Sequence, residues 1–248
     1  MKTLTVTIPV GAQAMALHTA RPDGDGPFPA IVTIQHAPGV DMFLHAMAER
    51  LAQAGYCVAA PDLYHRIDAR LDGMQKMKLL KDREVEADVN ATVEWLRAHP
   101  AVNRERLGII GFCMGGRVAY LGAAANPCFK AAVVYYGGNI MVPWGEGAVA
   151  PFARTGEIHC PLLFHFGADD TNPSPADMHR LDAELMRHGK AHEFHVYPNA
   201  GHAFMNFTNA ERYREAATNS SWPRTLTFLA QHLRPSKPTR VLGSTVKP

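Results

Sequence analysis

Six short apolar runs recur along the chain: PAIVTIQ, YCVAAPDL, RLGIIGF, AAVVYYG, PLLFHFG and EFHVYP. Between most of them lie stretches whose apolar residues return at helical spacing. A strand with one wet face alternates apolar and polar residues. Several of these runs are apolar throughout, as strands covered on both faces are. The helical stretches are FLHAMAERLAQ, closed by Gly55 at the C-cap position; about Val85 to Ala98, with Val85, Val89, Val93 and Leu96 on one stripe; MGGRVAYLGAAA; ADMHRLDAELMRHG; and a last region from about Arg212 to Leu233. Strands alternating with helices predict an α/β chain with a mostly parallel central sheet and helices on both faces. Thr5 to Val10 and Ala14 to Thr19, joined by a turn at Gly11, add an opening antiparallel hairpin, for about eight strands in all. Residues 64–84 and 138–159 read as irregular. In such sheets ligands bind beyond the carboxyl ends of the strands, so the chemistry is expected in the loops just after them.

A length of 248 residues suits one α/β domain over residues 1–233, followed by a basic, proline-bearing tail, RPSKPTRVLGSTVKP, at 234–248. No repeat or linker divides the chain. A formal charge of +2 gives no electrostatic reason to invoke nucleic acid or an anionic membrane. The N-terminal MKTLTVTIPVGAQ lacks the apolar core of a signal peptide, and no stretch is long and apolar enough to span a bilayer, so a cytoplasmic protein with no membrane partner is expected. The four cysteines, Cys57, Cys113, Cys128 and Cys160, show neither a CxxC pair nor metal-ligand spacing. Free thiols, and no metal, are expected.

Cys113 stands apart from the other three. It is the centre of Gly111-Phe112-Cys113-Met114-Gly115, placed immediately after the strand RLGII and before a helix. This is the G-x-nucleophile-x-G pattern of a sharp strand-to-helix turn. A side chain on either glycine would collide with the adjoining strand or helix, and the nucleophile itself occupies a strained turn. The helix that follows presents unpaired N–H groups and a positive dipole end, which favour a thiolate and can hold an oxyanion. The possible partners come in order along the chain. Asp170, in GADD, follows the strand PLLFHF, and His202, in NAGHAF, follows EFHVYP. Both fall in strand-end loops, as a nucleophile–acid–histidine arrangement requires, with Asp169 a close competitor to Asp170.

The motifs GFCMGG, YYGG, GADDTNPSP and AGHAF together resemble the dienelactone hydrolase (carboxymethylenebutenolidase) family of the α/β-hydrolase superfamily, over a span from Gln35 to about Leu233. A cysteine at the elbow is the most specific of these features, since most proteins of this fold carry serine there. The resemblance implies an α/β-hydrolase fold and a triad of Cys113, His202 and Asp170. It also implies an oxyanion hole from the backbone N–H groups of Ala37 and Met114. Two positions depart from the family's founding type. Where that type has a glutamate facing the resting cysteine, this chain has His36. Where it has two arginines on a substrate carboxylate, this chain offers Arg70 (or Arg66) for the first and Asn206 for the second. Asparagine cannot replace a bidentate arginine.

Other features are weaker. HEFH at 192–195 lacks the spacing that places two zinc ligands on one helix face, and in a strand His192 and His195 point to opposite faces. His159-Cys160 reads as structural. Trp144, with Pro143 and Phe152, lies in an irregular segment of the kind that forms a lid. Tyr64, Arg66 and Phe204 follow strand ends and are candidates to line the pocket. The resulting expectation is an enzyme that cleaves a small ester or lactone through a cysteine acyl-enzyme, without metal or organic cofactor, as a monomer or small homo-oligomer. The alternatives are a general small-ester or thioester hydrolase with the same triad, and a non-catalytic binding or redox-sensing module in which Cys113 is a reactive thiol.

Overall fold

The computed structural model describes residues 1–234, and the tail expected at 234–248 lies, except for Arg234, outside them. Eight strands form one sheet in the order β1-β2-β4-β3-β5-β6-β7-β8. The strands are β1 (Lys2–Val10), β2 (Gln13–Arg21), β3 (Phe28–Ile34), β4 (Cys57–Pro61), β5 (Val102–Phe112), β6 (Phe129–Tyr135), β7 (Leu162–Gly167) and β8 (His192–Tyr197). β1 pairs antiparallel with β2, and β2 with β4, while every pairing from β4 through β3 to β8 is parallel. The helices are α1 (Met42–Gln53), α2 (Gly73–Met77), α3 (Asp82–Ala98), α4 (Met114–Ala125), α5 (Pro175–Arg187) and α6 (Glu215–Leu233), with a 3-10 turn at Pro151–Glu157.

The sheet is covered on both faces, and the central strands divide their residues between two cores with a period of two. On β5, Leu107 and Ile109 face the core formed with α3, α4 and α5, whereas Ile110 and Phe112 face the core formed with α1 and α6. β6 does the same, with Ala132 and Val134 on one side and Val133 and Tyr135 on the other. This is why these runs are apolar at every position: each has two dry faces. Burial of one such Val, Leu, Ile or Phe side chain stabilises the fold by roughly 1.5–3 kcal/mol.

Three boundaries differ from the sequence expectation. The opening hairpin is longer at both ends, because β1 and β2 stay paired from Val10↔Gln13 out to Lys2↔Arg21. The irregular stretch 64–84 contains α2, started by a capping box between Asp72 and Gln75, and the first turn of α3, whose buried Asp82 is held by Arg117 from α4. The last helix begins at Glu215, not at Arg212, so residues 199–214 remain a loop beside the site. Gly55 has φ +96, the left-handed conformation expected where α1 stops.

Candidate active site

Cys113 sits between β5 and α4 with φ 58 and ψ −123, a conformation rare for any residue but glycine. The turn is held where its amide donates to the carbonyl of Tyr135 at 3.1 Å. The flanking glycines are required by space. A Cβ on Gly111 would lie 1.8 Å from the carbonyl oxygen of Gly115, and one on Gly115 would lie 2.4 Å from that of Gln35. Strand and helix thus approach too closely for any side chain, and the cysteine is pushed out at the crest of the turn.

The imidazole of His202 reaches this sulfur from the loop after β8. Its Nε2 lies 3.0 Å from Cys113 Sγ and its Nδ1 lies 3.0 Å from Asp170 Oδ2. Asp170 is buried in the loop after β7, and its other oxygen accepts from the Asn172 amide at 2.9 Å. The two loops are themselves tied, since the Asp169 amide donates to the Ala200 carbonyl at 2.9 Å. Between the competing carboxylates the geometry chooses Asp170, because Asp169 is exposed and its side chain takes no part. Tyr136 sets its ring edge-on to His202, 5.3 Å between centroids.

The electrostatics follow from this contact. Burial pushes the Cys113 thiol up, but the hydrogen bond and charge of His202, helped by the amide N–H groups of Met114 and Ala37, outweigh it and leave the thiol below its ordinary value. Burial pulls His202 down, and the opposing hydrogen bonds and charges of Asp170 and Cys113 raise it to about 10. Both directions favour a thiolate–imidazolium pair with both ring nitrogens donating. The other buried cysteines lack such a partner, and burial pushes Cys57 up to about 11 and Cys160 up to about 12.

The three side chains open into a cavity of about 870 Å³. His36, Ala37, Met114 and Trp144 line it. Ala37 and Met114 already aim their amides at the sulfur, where an oxyanion would form beside it. His36 places Nε2 2.9 Å from Asp41 Oδ2. Tyr64 supports the wall from behind, its hydroxyl donating to the Ala37 carbonyl at 2.8 Å.

Four residues expected in the pocket are elsewhere, the first being Tyr64 behind its wall. Arg70 is 89% exposed and paired with Asp68 on the surface. Arg66 donates to the buried Asp88 at 2.8 Å, a carboxylate it shares with His65 Nε2 at 3.1 Å. Phe204 is fully buried behind the site against Tyr135, Tyr136 and Tyr197, because Ala203 before it adopts φ 64 and turns the chain inward.

Arg212 is the residue that sequence reasoning missed. It is the one Lys or Arg on the cavity wall among the described residues, and no described carboxylate pairs with it. The signal was present as a cation ten positions after the histidine, but assigning it to the last helix hid its place. Asn206 also lines the cavity, though its Oδ1 is engaged by Thr208.

A mostly parallel sheet with a cysteine at a strained strand-to-helix turn, and an aspartate and a histidine on the loops after two later strands, is the arrangement of an α/β-hydrolase. The description "Dienelactone hydrolase family" matches residues 15–233. A Synechocystis sp. protein named "Putative carboxymethylenebutenolidase" is 33% identical over 231 residues, covering 89% of this chain and 93% of its own length. A Bradyrhizobium protein named "Probable 2-oxo-3-(5-oxofuran-2-ylidene)propanoate lactonase" is 32% identical, covering 92% of this chain and 94% of its own. The crystal structure of a "Putative Dienelactone Hydrolase" from Klebsiella pneumoniae superposes with a TM-score of 0.83 at 32% identity, over 93% of this chain and 98% of that one. The chain belongs to the dienelactone hydrolase family, and it is a carboxylic ester hydrolase acting on esters or lactones. Among the described residues, no helix is long and apolar enough to cross a membrane.

Proposed function

We propose that this chain hydrolyses a small ester or lactone through a thioester on Cys113. The observation that carries the reading is the pair of 3.0 Å contacts joining Cys113, His202 and Asp170. The thiolate attacks the carbonyl carbon, and the displaced π electrons collect on oxygen between the amides of Ala37 and Met114. As the carbonyl re-forms, the C–O bond to the leaving alkoxide breaks, and that oxygen takes the Nε2 proton of His202. Asp170 keeps the ring oriented throughout. Water then gives a proton to Nε2 and attacks the thioester, and collapse of the second tetrahedral adduct expels the thiolate and the acid. With a lactone the leaving oxygen stays tethered, so the ring opens in the first half and a single hydroxy acid is released in the second.

The substrate is assigned as a lactone that carries a carboxylate. The name of the Bradyrhizobium relative specifies such a compound, an oxofuran ring joined to a propanoate. Arg212 supplies a cation on the cavity wall.

Ester turnover is measured before and after alkylation with one equivalent of iodoacetamide at pH 7, and in Cys113→Ala. Turnover is expected to fall by about 10⁴-fold or more in both cases. The thiol that reacts first is Cys113, and Cys57 and Cys160 stay protonated and slow. Activity should fall again above about pH 10, where His202 gives up its proton. Turnover that survives both alkylation and Cys113→Ala rules out the mechanism. Fast labelling of Cys113 with no ester or lactone turnover at all would favour a redox-sensing thiol instead.

A further inference from the structure

The catalytic cavity, at about 870 Å³, is far roomier than a single small ring requires and sits near the upper end for sites that take ligands of drug size. Its lining includes apolar and aromatic side chains. Met74 and Met77 line it from α2, and Trp144 lines it from the segment after β6. Methionine and indole together suit a flat aromatic group, which gains from both stacking and sulfur contacts.

Trp144 would be a poor wall if its loop were loose, and the structure fixes that loop with hydrogen bonds from Arg117 and Asp82. The guanidinium of Arg117 lies over the indole, 3.7 Å from its centroid, and the half-buried Trp144 also lines the cavity. Arg117 is fully buried and grips Asp82 with two hydrogen bonds of 2.6 and 3.0 Å. It also donates to the carbonyls of Asn139 at 3.1 Å and Val142 at 2.6 Å, on the same segment as the indole. Asp82 completes the clamp, because its Oδ2 accepts the Trp144 amide at 2.9 Å and its own amide donates to the Trp144 carbonyl at 2.9 Å. Arg117 is also one turn along α4 from the nucleophile, its amide bonded to the Cys113 carbonyl. The same side chain therefore fixes Trp144 at a set place relative to the sulfur.

We propose that Trp144, Met74 and Met77 form a second subsite that takes an aromatic group of a bulkier ester, and that Arg117 and Asp82 are positioning residues that hold its wall in register with Cys113. This rests on the assignment of Cys113 as the nucleophile. It widens the substrate class beyond small lactones to esters with an aryl-bearing alcohol or acyl part.

The test compares benzyl acetate with ethyl acetate, whose leaving alcohols have similar acidity but differ in the ring. In Trp144→Ala, the ratio of kcat/KM for benzyl acetate to that for ethyl acetate is expected to fall about tenfold, mostly through the KM for benzyl acetate. Trp144→Phe should restore most of the loss. Asp82→Asn should lower the benzyl-to-ethyl ratio in the same way, and should add nothing to it in the Trp144→Ala background, since it acts through the indole. Should Asp82→Asn fail to fold, the two Trp144 variants decide. An equal loss on both esters, or no loss on either, overturns the subsite. If instead Cys113→Ala turns over both esters like the unaltered enzyme, it is the nucleophile assignment that has failed.

Discussion

The floor and the rim of the cavity are built on different principles. The floor consists of Cys113, Asp170 and His202 at the ends of β5, β7 and β8, with backbone contacts that admit no side chain at Gly111 or Gly115. The rim consists of α2, a five-residue helix, and the loop 199–214, which presents the exposed Arg212. On the floor the sheet dictates where each atom goes. On the rim, the exposed stretch around Arg212 takes its place from loop conformation, which changes more easily with sequence than a sheet does. Under the proposed function, this chain's chemistry is anchored in the first region and its choice of substrate in the second.

If that division is right, altering the floor should abolish turnover for every substrate, and altering the rim should change which substrate is preferred. Asp170→Asn leaves the shape of the floor but removes the charge that holds the imidazolium, and kcat is expected to drop by about 10³–10⁴ on esters and lactones alike. Stopped assays over pH should also show the decline near pH 10 moving to lower pH, because Asp170 is the first of the groups raising His202. An Asp170→Asn enzyme within tenfold of the unaltered one would place the carboxylate outside the machinery. Arg212→Gln tests the rim. A rise in KM of about tenfold for a carboxylated lactone, with its uncharged methyl ester unaffected, is the expected pattern, and equal changes on both would detach Arg212 from recognition. The smallest effect belongs to Arg70→Ala. Exposed and bound only to Asp68, it should alter neither KM nor kcat beyond about twofold and leave the melting temperature unchanged.

Legibility in the sequence follows the same division. The sheet could be read because two dry faces force uninterrupted apolar runs, and the elbow because its glycines have no substitute at 1.8 and 2.4 Å. The order of Asp170 and His202 after successive strands followed from topology. What could not be read was set by pairings distant along the chain. Arg66 looks available until it is found on the buried Asp88, and the stretch 64–84 looks irregular until Arg117 is found on its buried Asp82. Phe204 points inward through a single positive φ at Ala203. Arg212 was hidden by a boundary misplaced by three residues, from 212 to Glu215.

The pairing of β6 with β7 and of β7 with β8 has a consequence for how the enzyme fails. Cys113, Asp170 and His202 hang from three separate strands, and His202 is carried by β8, whose outer edge has no neighbour among the described residues. A slip of one position between β7 and β8 would shift Asp170 along its ladder by about 3.3 Å, more than the whole length of its contact with the imidazole. Turnover is therefore a gauge of alignment along this flank, and loosening there silences the molecule while the opening hairpin on the far side remains intact.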